Sequence, residues 1–143
     1  MTTYIVVADA ARARIFTRDA QNLEEKESLV HAEGRMHEGD LIADSSGADV
    51  HDSPSSPVRS SSERGAALRH ENELFAKEVA QHLYNARVGN NMEKLIMVAP
   101  PKFLGLLRDK LDGPTQKLVT HTLSKDLSKA SMADIQAAVN DLR

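Results

Sequence analysis

Short apolar runs alternate with polar connections along this chain, and the spacing within each run predicts an element. Tyr4 to Ala8 is a short β-branched run, the pattern of a central strand. Asp9-Ala10-Ala11 makes a tight connection into Ala13 to Thr17, which reads as a second strand in a hairpin with the first. Asp19 to Asn22 is a polar turn. Leu23 to Ala32 is mostly charged, with Leu29 and Val30 near its end. It reads as a third strand at a sheet edge, where charge discourages edge-to-edge pairing.

The character changes at Gly34. Residues 45–62 hold eight serines, with Pro54 and Pro57 among them. Such a stretch buries too little apolar surface to offset its ordering entropy. The pattern therefore predicts a long polar, mobile loop over residues 34–70, and loops of that length inside a domain tend to be functional or disordered. Helical order is expected to return near Ser62. Phe75, Val79, Leu83 and Ala86 recur at helical spacing, with Gly89 as the expected C′ residue. Lys94 to Ala99 is a buried strand ended by Pro100-Pro101. Pro101 suits the first turn of a helix that carries Phe103, Leu104, Leu107 and Leu111 on one face. Asp112-Gly113-Pro114 stops it. Lys117 to Leu123 reads as a last strand. Ser131-Met132-Ala133-Asp134 resembles a capping box, and Ile135, Ala138, Val139 and Leu142 supply the stripe of a final helix.

The order β-β-β-loop-α-β-α-β-α predicts an α/β domain with a mixed five-stranded sheet. Right-handed crossovers place the fourth and fifth strands beside the first, a ribonuclease-H-like arrangement. The 143 residues fit a single domain, 1–143, with the 34–70 loop inside it.

Composition narrows the chemistry. Cysteine is absent, which excludes disulfides, thiolate nucleophiles and cysteine-ligated zinc. Aromatics are only 3%, so the core is aliphatic, and a base-stacking surface for single-stranded nucleic acid is not expected. The net charge of −3 is too balanced to bind polyanions over the whole surface. The N-terminal run is too short for a signal-peptide core, and no stretch approaches the ~20 apolar residues of a membrane span. A cytoplasmic protein with no membrane partner is the expectation.

Four segments carry a family resemblance. They are Val7 to Phe16, Asn72 to Ala80, Ala99 to Arg108 with its Pro-Pro pair, and Ser124 to Lys129. Together, and in this order, they resemble a bacterial family of host-attachment proteins, described as required for attachment to host cells. That family is similar in turn to the middle domain of archaeal and eukaryotic peptide-chain release factors. There a Gly-Gly-Gln tip before the long helix promotes peptidyl-tRNA hydrolysis. The corresponding stretch here is Glu63-Arg64-Gly65-Ala66-Ala67-Leu68-Arg69, and residues 34–70 contain no Gln. The resemblance thus implies the scaffold without its catalytic tip, and no catalytic residue is carried over.

The remaining candidates are electrostatic. Asp9 ends the first strand, where ribonuclease-H-like nucleases keep a metal-binding carboxylate. Two-metal chemistry needs further carboxylates, for which Glu71, Glu73 and Glu78 are on offer, while the fourth strand supplies none. The simpler reading is that Asp9 caps a turn beside Arg12 or Arg14. His37, His51 and His70 share the loop with Asp40, Asp44, Asp49 and Asp52 but match no compact zinc spacing, so no metal or cofactor is expected. Residues 36–58 are acidic and lack Lys and Arg, whereas the return carries Arg59, Arg64 and Arg69. Five residues turn a helix by ~500°, so three Arg at that spacing reach one phosphate backbone only from an irregular loop. Arg12 and Arg14 share one face of the second strand and are candidates to pair with Glu24, Glu25 or Glu27. These five arginines are the tentative binding residues. The expected function is a non-catalytic interaction domain that contacts a protein or the translation machinery (ribosome or tRNA). The alternative is a divergent release-factor-like protein acting on peptidyl-tRNA.

Overall fold

The computed structural model describes residues 2–20, 22–31, 57–90 and 92–142. Its strands are β1 (Thr2–Ala8), β2 (Arg12–Asp19), β3 (Asn22–Val30), β4 (Met92–Val98) and β5 (Val119–Leu123). The helices are α1 (Pro57–Asn90), α2 (Pro101–Lys110), α3 (Gly113–Gln116) and α4 (Met132–Val139). The sheet order is β3-β2-β1-β4-β5. β1-β2 and β2-β3 are antiparallel, and β1-β4 and β4-β5 are parallel. The mixed five-stranded α/β sheet is the one the element order predicts, with β4 beside β1 and the charged β3 at an edge, while β5 lies beyond β4 at the other edge rather than against β1.

Burial on both faces explains why β1 and β4 are continuous apolar runs. Tyr4, Val6 and Ala8 point to one face and pack with Phe75, Val79 and Leu83 of α1 and with Phe103 and Leu107 of α2. Ile5, Val7, Ile96 and Val98 point to the other face, where Phe16, Ile135 and Val139 close a second, smaller core. Alanines at 76, 80 and 86 keep the buried stripe of α1 narrow, so the helix sits close on the sheet.

The loop ends earlier than the sequence predicts. Helix α1 already begins at Pro57 and spans 34 residues, roughly 50 Å at helical rise. Residues 65–70 are all exposed. This stretch has no apolar stripe to signal a helix. It does have a proline at the first helical position and then Ala66, Ala67, Leu68 and Arg69, all strong helix formers. Once residues 71–90 are nucleated by packing, extending the helix backwards needs only propensity. Gly89 is likewise helical rather than a C′ residue, since α1 runs to Asn90 and no described glycine has positive φ. Residues 32–56, which include the acidic part of the predicted loop, lie outside the described residues.

Two further contacts fix the helices. Arg18, buried on the α4 side of β2, donates to the carbonyls of Val139 and Leu142. A cation there meets the negative end of the α4 dipole. At the other end of α4, the Ser131 hydroxyl accepts from the Asp134 N–H at 3.1 Å. Near the end of α1, Arg87 contacts Asp112 at 3.3 Å and donates to the Thr115 hydroxyl at 3.0 Å. Thr115 in turn donates its hydroxyl and N–H to Asp112. Burial raises the Asp112 pKa, but the hydrogen bonds from Thr115 and from its own backbone, with the Arg87 charge, outweigh it and leave the group below its ordinary value.

A carboxyl with a lowered folded-state pKa contributes stability above its unfolded value and loses it as pH falls through the folded one. Wild-type protein is therefore expected to lose stability to urea below about pH 4 more steeply than an Asp112→Asn variant. Parallel pH slopes for the two proteins contradict this.

Candidate functional site

Strands β1, β4 and β5 run parallel, so their C-terminal ends share one side of the sheet. In open α/β sheets that side is where ligands meet the fold. Asp9 follows β1 directly. Its Oδ1 accepts from the N–H groups of Ala11 at 2.8 Å and Arg12 at 2.9 Å. Its Oδ2 accepts from the Ser128 hydroxyl at 2.7 Å. The Asp9 N–H donates to the Arg12 carbonyl at 2.9 Å. Asp9 thus caps the turn beside Arg12 and also ties that turn to the connection between β5 and α4.

That connection is held twice more. The Ser128 hydroxyl lies 2.9 Å from Asp126 Oδ1, and its single proton serves one carboxylate at a time. Arg14 donates to the Ala130 carbonyl at 2.7 Å and, at 3.4 Å, to that of Ser128. Its Nε donates to Glu25 at 2.7 Å. On the far side of the turn His31 stacks on Phe75 at 4.9 Å, and its Nδ1 lies 2.9 Å from the Ala10 carbonyl. A carbonyl only accepts, so in this contact Nδ1 carries the proton.

Two concavities flank the pinned turn. A groove of about 580 Å³ is lined by Arg12, Arg14, Ser28, Val30 and the segment Ser128-Lys129-Ala130. A crevice of about 260 Å³ is lined by Asp9, Ala10, Asn72, Pro100, Lys102, Phe103, Leu106 and Asp126. Every residue of that crevice belongs to one of the four segments that carry the family resemblance. Among the described residues, Arg12 Nε and Asn72 Oδ1 here are buried with no hydrogen-bond partner. A further cavity, about 680 Å³, lies elsewhere, between the C-terminal half of α1 and the β2-β3 ribbon. There Glu27 is already matched with His82 at 3.0 Å.

Arg12 and Arg14 line one groove, as their alternation predicts, and Arg14 takes Glu25 as its acidic partner. Arg69 is exposed on α1. Arg59 and Arg64 stand on the same helix, whose backbone sets neighbours in this series ~140° apart. The irregular tip that would bring all three to one phosphate backbone is therefore replaced by a helix. Glu71, Glu73, Glu78 and His70 also stand on α1, and among the described residues no three His, Asp or Glu side chains converge on a possible metal position. His37, His51 and Asp40, Asp44, Asp49 and Asp52 lie outside the described residues. Ser128, Lys129, Asp126, Asn72 and Lys102 were not singled out by composition or spacing. Their only signal was membership of the four resembling segments.

The fold and this end of it define a class: a mixed α/β domain with one polar, multiply pinned strand end flanked by two concavities. The chain belongs to the family described as protein required for attachment to host cells, which matches residues 4–139. An uncharacterized protein from Rickettsia prowazekii (strain Madrid E) is 32% identical over 71 residues. That match covers 48% of this chain and 47% of the relative, so the chain spans about half the relative's length. Among solved structures, the archaeal translation termination factor aRF1 superposes with a TM-score of 0.55 at 12% identity. The superposition covers 97% of this chain and 38% of that one, a likeness of fold. No helix among the described residues is long and apolar enough to cross a membrane.

Replacing Ser128 with Ala removes the hydroxyl donor of Asp9 Oδ2 inside a buried contact. Chemical denaturation is expected to show a loss of about 1–3 kcal/mol, the cost of a buried acceptor left without its donor. A change below about 0.5 kcal/mol, the scatter of ordinary surface substitutions, contradicts the pin.

Proposed function

We propose that this protein is a non-catalytic interaction domain that docks on the translation machinery through the end of the sheet around Asp9. The observation that carries the reading is the convergence of the four family-resembling segments on one crevice there. Residues far apart in the chain, from Asp9 to Asp126, meet at that place, where Asn72 Oδ1 is buried without a hydrogen-bond partner among the described residues. The likeness of fold to a translation termination factor supports the choice of partner.

The chemistry of this end favours contact over catalysis. Both oxygens of Asp9 already accept hydrogen bonds, three in all, which leaves it poorly placed to take a proton from a substrate. The stretch that the resemblance sets against the release-factor tip, residues 63–69, carries no Gln and lies on helix α1. A divergent peptidyl-tRNA hydrolase, the competing reading, has no matching residue to do the work. On the proposed reading the protein acts in the cytoplasm, where ribosomes are.

Sedimentation with purified ribosomes at low salt, together with a peptidyl-tRNA release assay, tests this. The expected result is co-sedimentation that weakens with salt, without release of peptide. No co-sedimentation overturns the reading, and release above background installs the hydrolase in its place.

A further inference from the structure

We infer that the Arg12–Lys129 groove is a phosphate subsite that takes the backbone of a double-helical RNA. The inference deepens the proposed function and rests on it for the kind of partner. It starts from Arg12, the first residue of β2. Its Nε–H is buried without an acceptor, and no acidic side chain pairs with it among the described residues. Arg12 is half-buried at the groove wall, and its guanidinium has no counter-charge among the described residues, which an anionic ligand in the groove would supply. The planar guanidinium fork suits phosphate in particular.

The rest of the groove fits the same ligand. Lys129 is exposed and has no ion-pair partner among the described residues. Its backbone is not free to swing, because Ser128 is tied to Asp9 and Ala130 to Arg14. Arg14 adds to the positive potential, although Glu25 offsets its charge. Ser28 contributes a hydroxyl from the partner position of Arg14 across β2-β3. Two unmatched cations are thus held on anchored backbone at the walls of an open groove.

Among the described residues, the groove is lined by no aromatic side chain on which a base would stack. Single-stranded recognition relies on such platforms, whereas helical RNA is held through its phosphates and shape. That favours the duplex backbone. Binding is then insensitive to sequence and sensitive to salt.

The test uses the full chain and a fluorescently labelled RNA hairpin with a stem of about 16 base pairs. Anisotropy titrations compare wild type, the double variant Arg12→Gln/Lys129→Gln, and a charge-matched control, Arg108→Gln/Lys110→Gln, on the distant end of α2. Thermal melting confirms that each variant is folded, and Arg12→Lys is the conservative companion if the double variant is not. The expected result is binding at about 50 mM salt that weakens at least tenfold in the double variant. The slope of log affinity against log salt is expected to fall by about 1–2, one per lost phosphate contact. The control should stay within about twofold of wild type. Equal loss in the control and the groove variant, or no RNA binding by wild type at low salt, overturns the inference. So does a phosphoserine peptide that binds this groove when RNA does not. Ribosome sedimentation of the double variant separates the two levels. If wild type sediments and RNA binding ignores the groove, the subsite is wrong and the docking reading stands. If groove-dependent RNA binding occurs without sedimentation, the reverse holds.

Discussion

A single carboxylate organises the functional end of this molecule. Asp9 is placed by β1, one of the two most buried strands, so its position is fixed by packing on both faces of the sheet. From there it accepts hydrogen bonds from two amides of the β1-β2 turn and from Ser128, 119 residues further along the chain. That last contact adds to the Arg14 bonds to the Ser128 and Ala130 carbonyls in holding the connection from β5 to α4. With them, the backbone that carries Asp126, Lys129 and Ala130 becomes part of the same rigid unit as β1.

The arginines of β2 extend the same logic. Arg12, Arg14, Phe16 and Arg18 point to one face. Phe16 joins the smaller core, while Arg14 and Arg18 hold carbonyls of the chain that crosses it. Each satisfied arginine secures a segment that otherwise has few buried side chains. Arg12 differs from the other two because, among the described residues, it reaches no carbonyl or carboxylate. A strand that uses two arginines as clamps and leaves a third open to a groove has a built-in division between structure and recognition. That division also explains why ordinary charge counting is uninformative here. The net charge is −3, yet the groove at this end is locally basic.

Much of the architecture is legible in the residue pattern, for a physical reason in each case. β1 and β4 are buried on both faces and so declare themselves as apolar runs. β3 declares itself as an edge through Glu24, Glu25, Lys26 and Glu27. Residues 65–70 of α1 escape the pattern because they are exposed on the helix, and only a buried stripe has a period to read. The α3 turn rests on a local cap, Asp112 accepting from Thr115 with a proline at its start, which Arg87 only reinforces, and its four residues are too short to show a period. The site was legible in fragments. Asp9 as a turn cap and the Arg12/Arg14 face were readable from adjacent residues. The partnership of Asp9 with Ser128 was not, since nothing local in either segment requires the other.

The central claim is that Asp9 holds the β1-β2 turn and the 124–131 connection together as one unit. Amide hydrogen exchange of an Asp9→Ala variant tests it directly. The account predicts faster exchange at Ala11, Arg12 and the amides around Ser128, with protection in β1 and β4 unchanged. Protection at Ser128 that survives the substitution, or exchange that rises equally across the whole sheet, contradicts it.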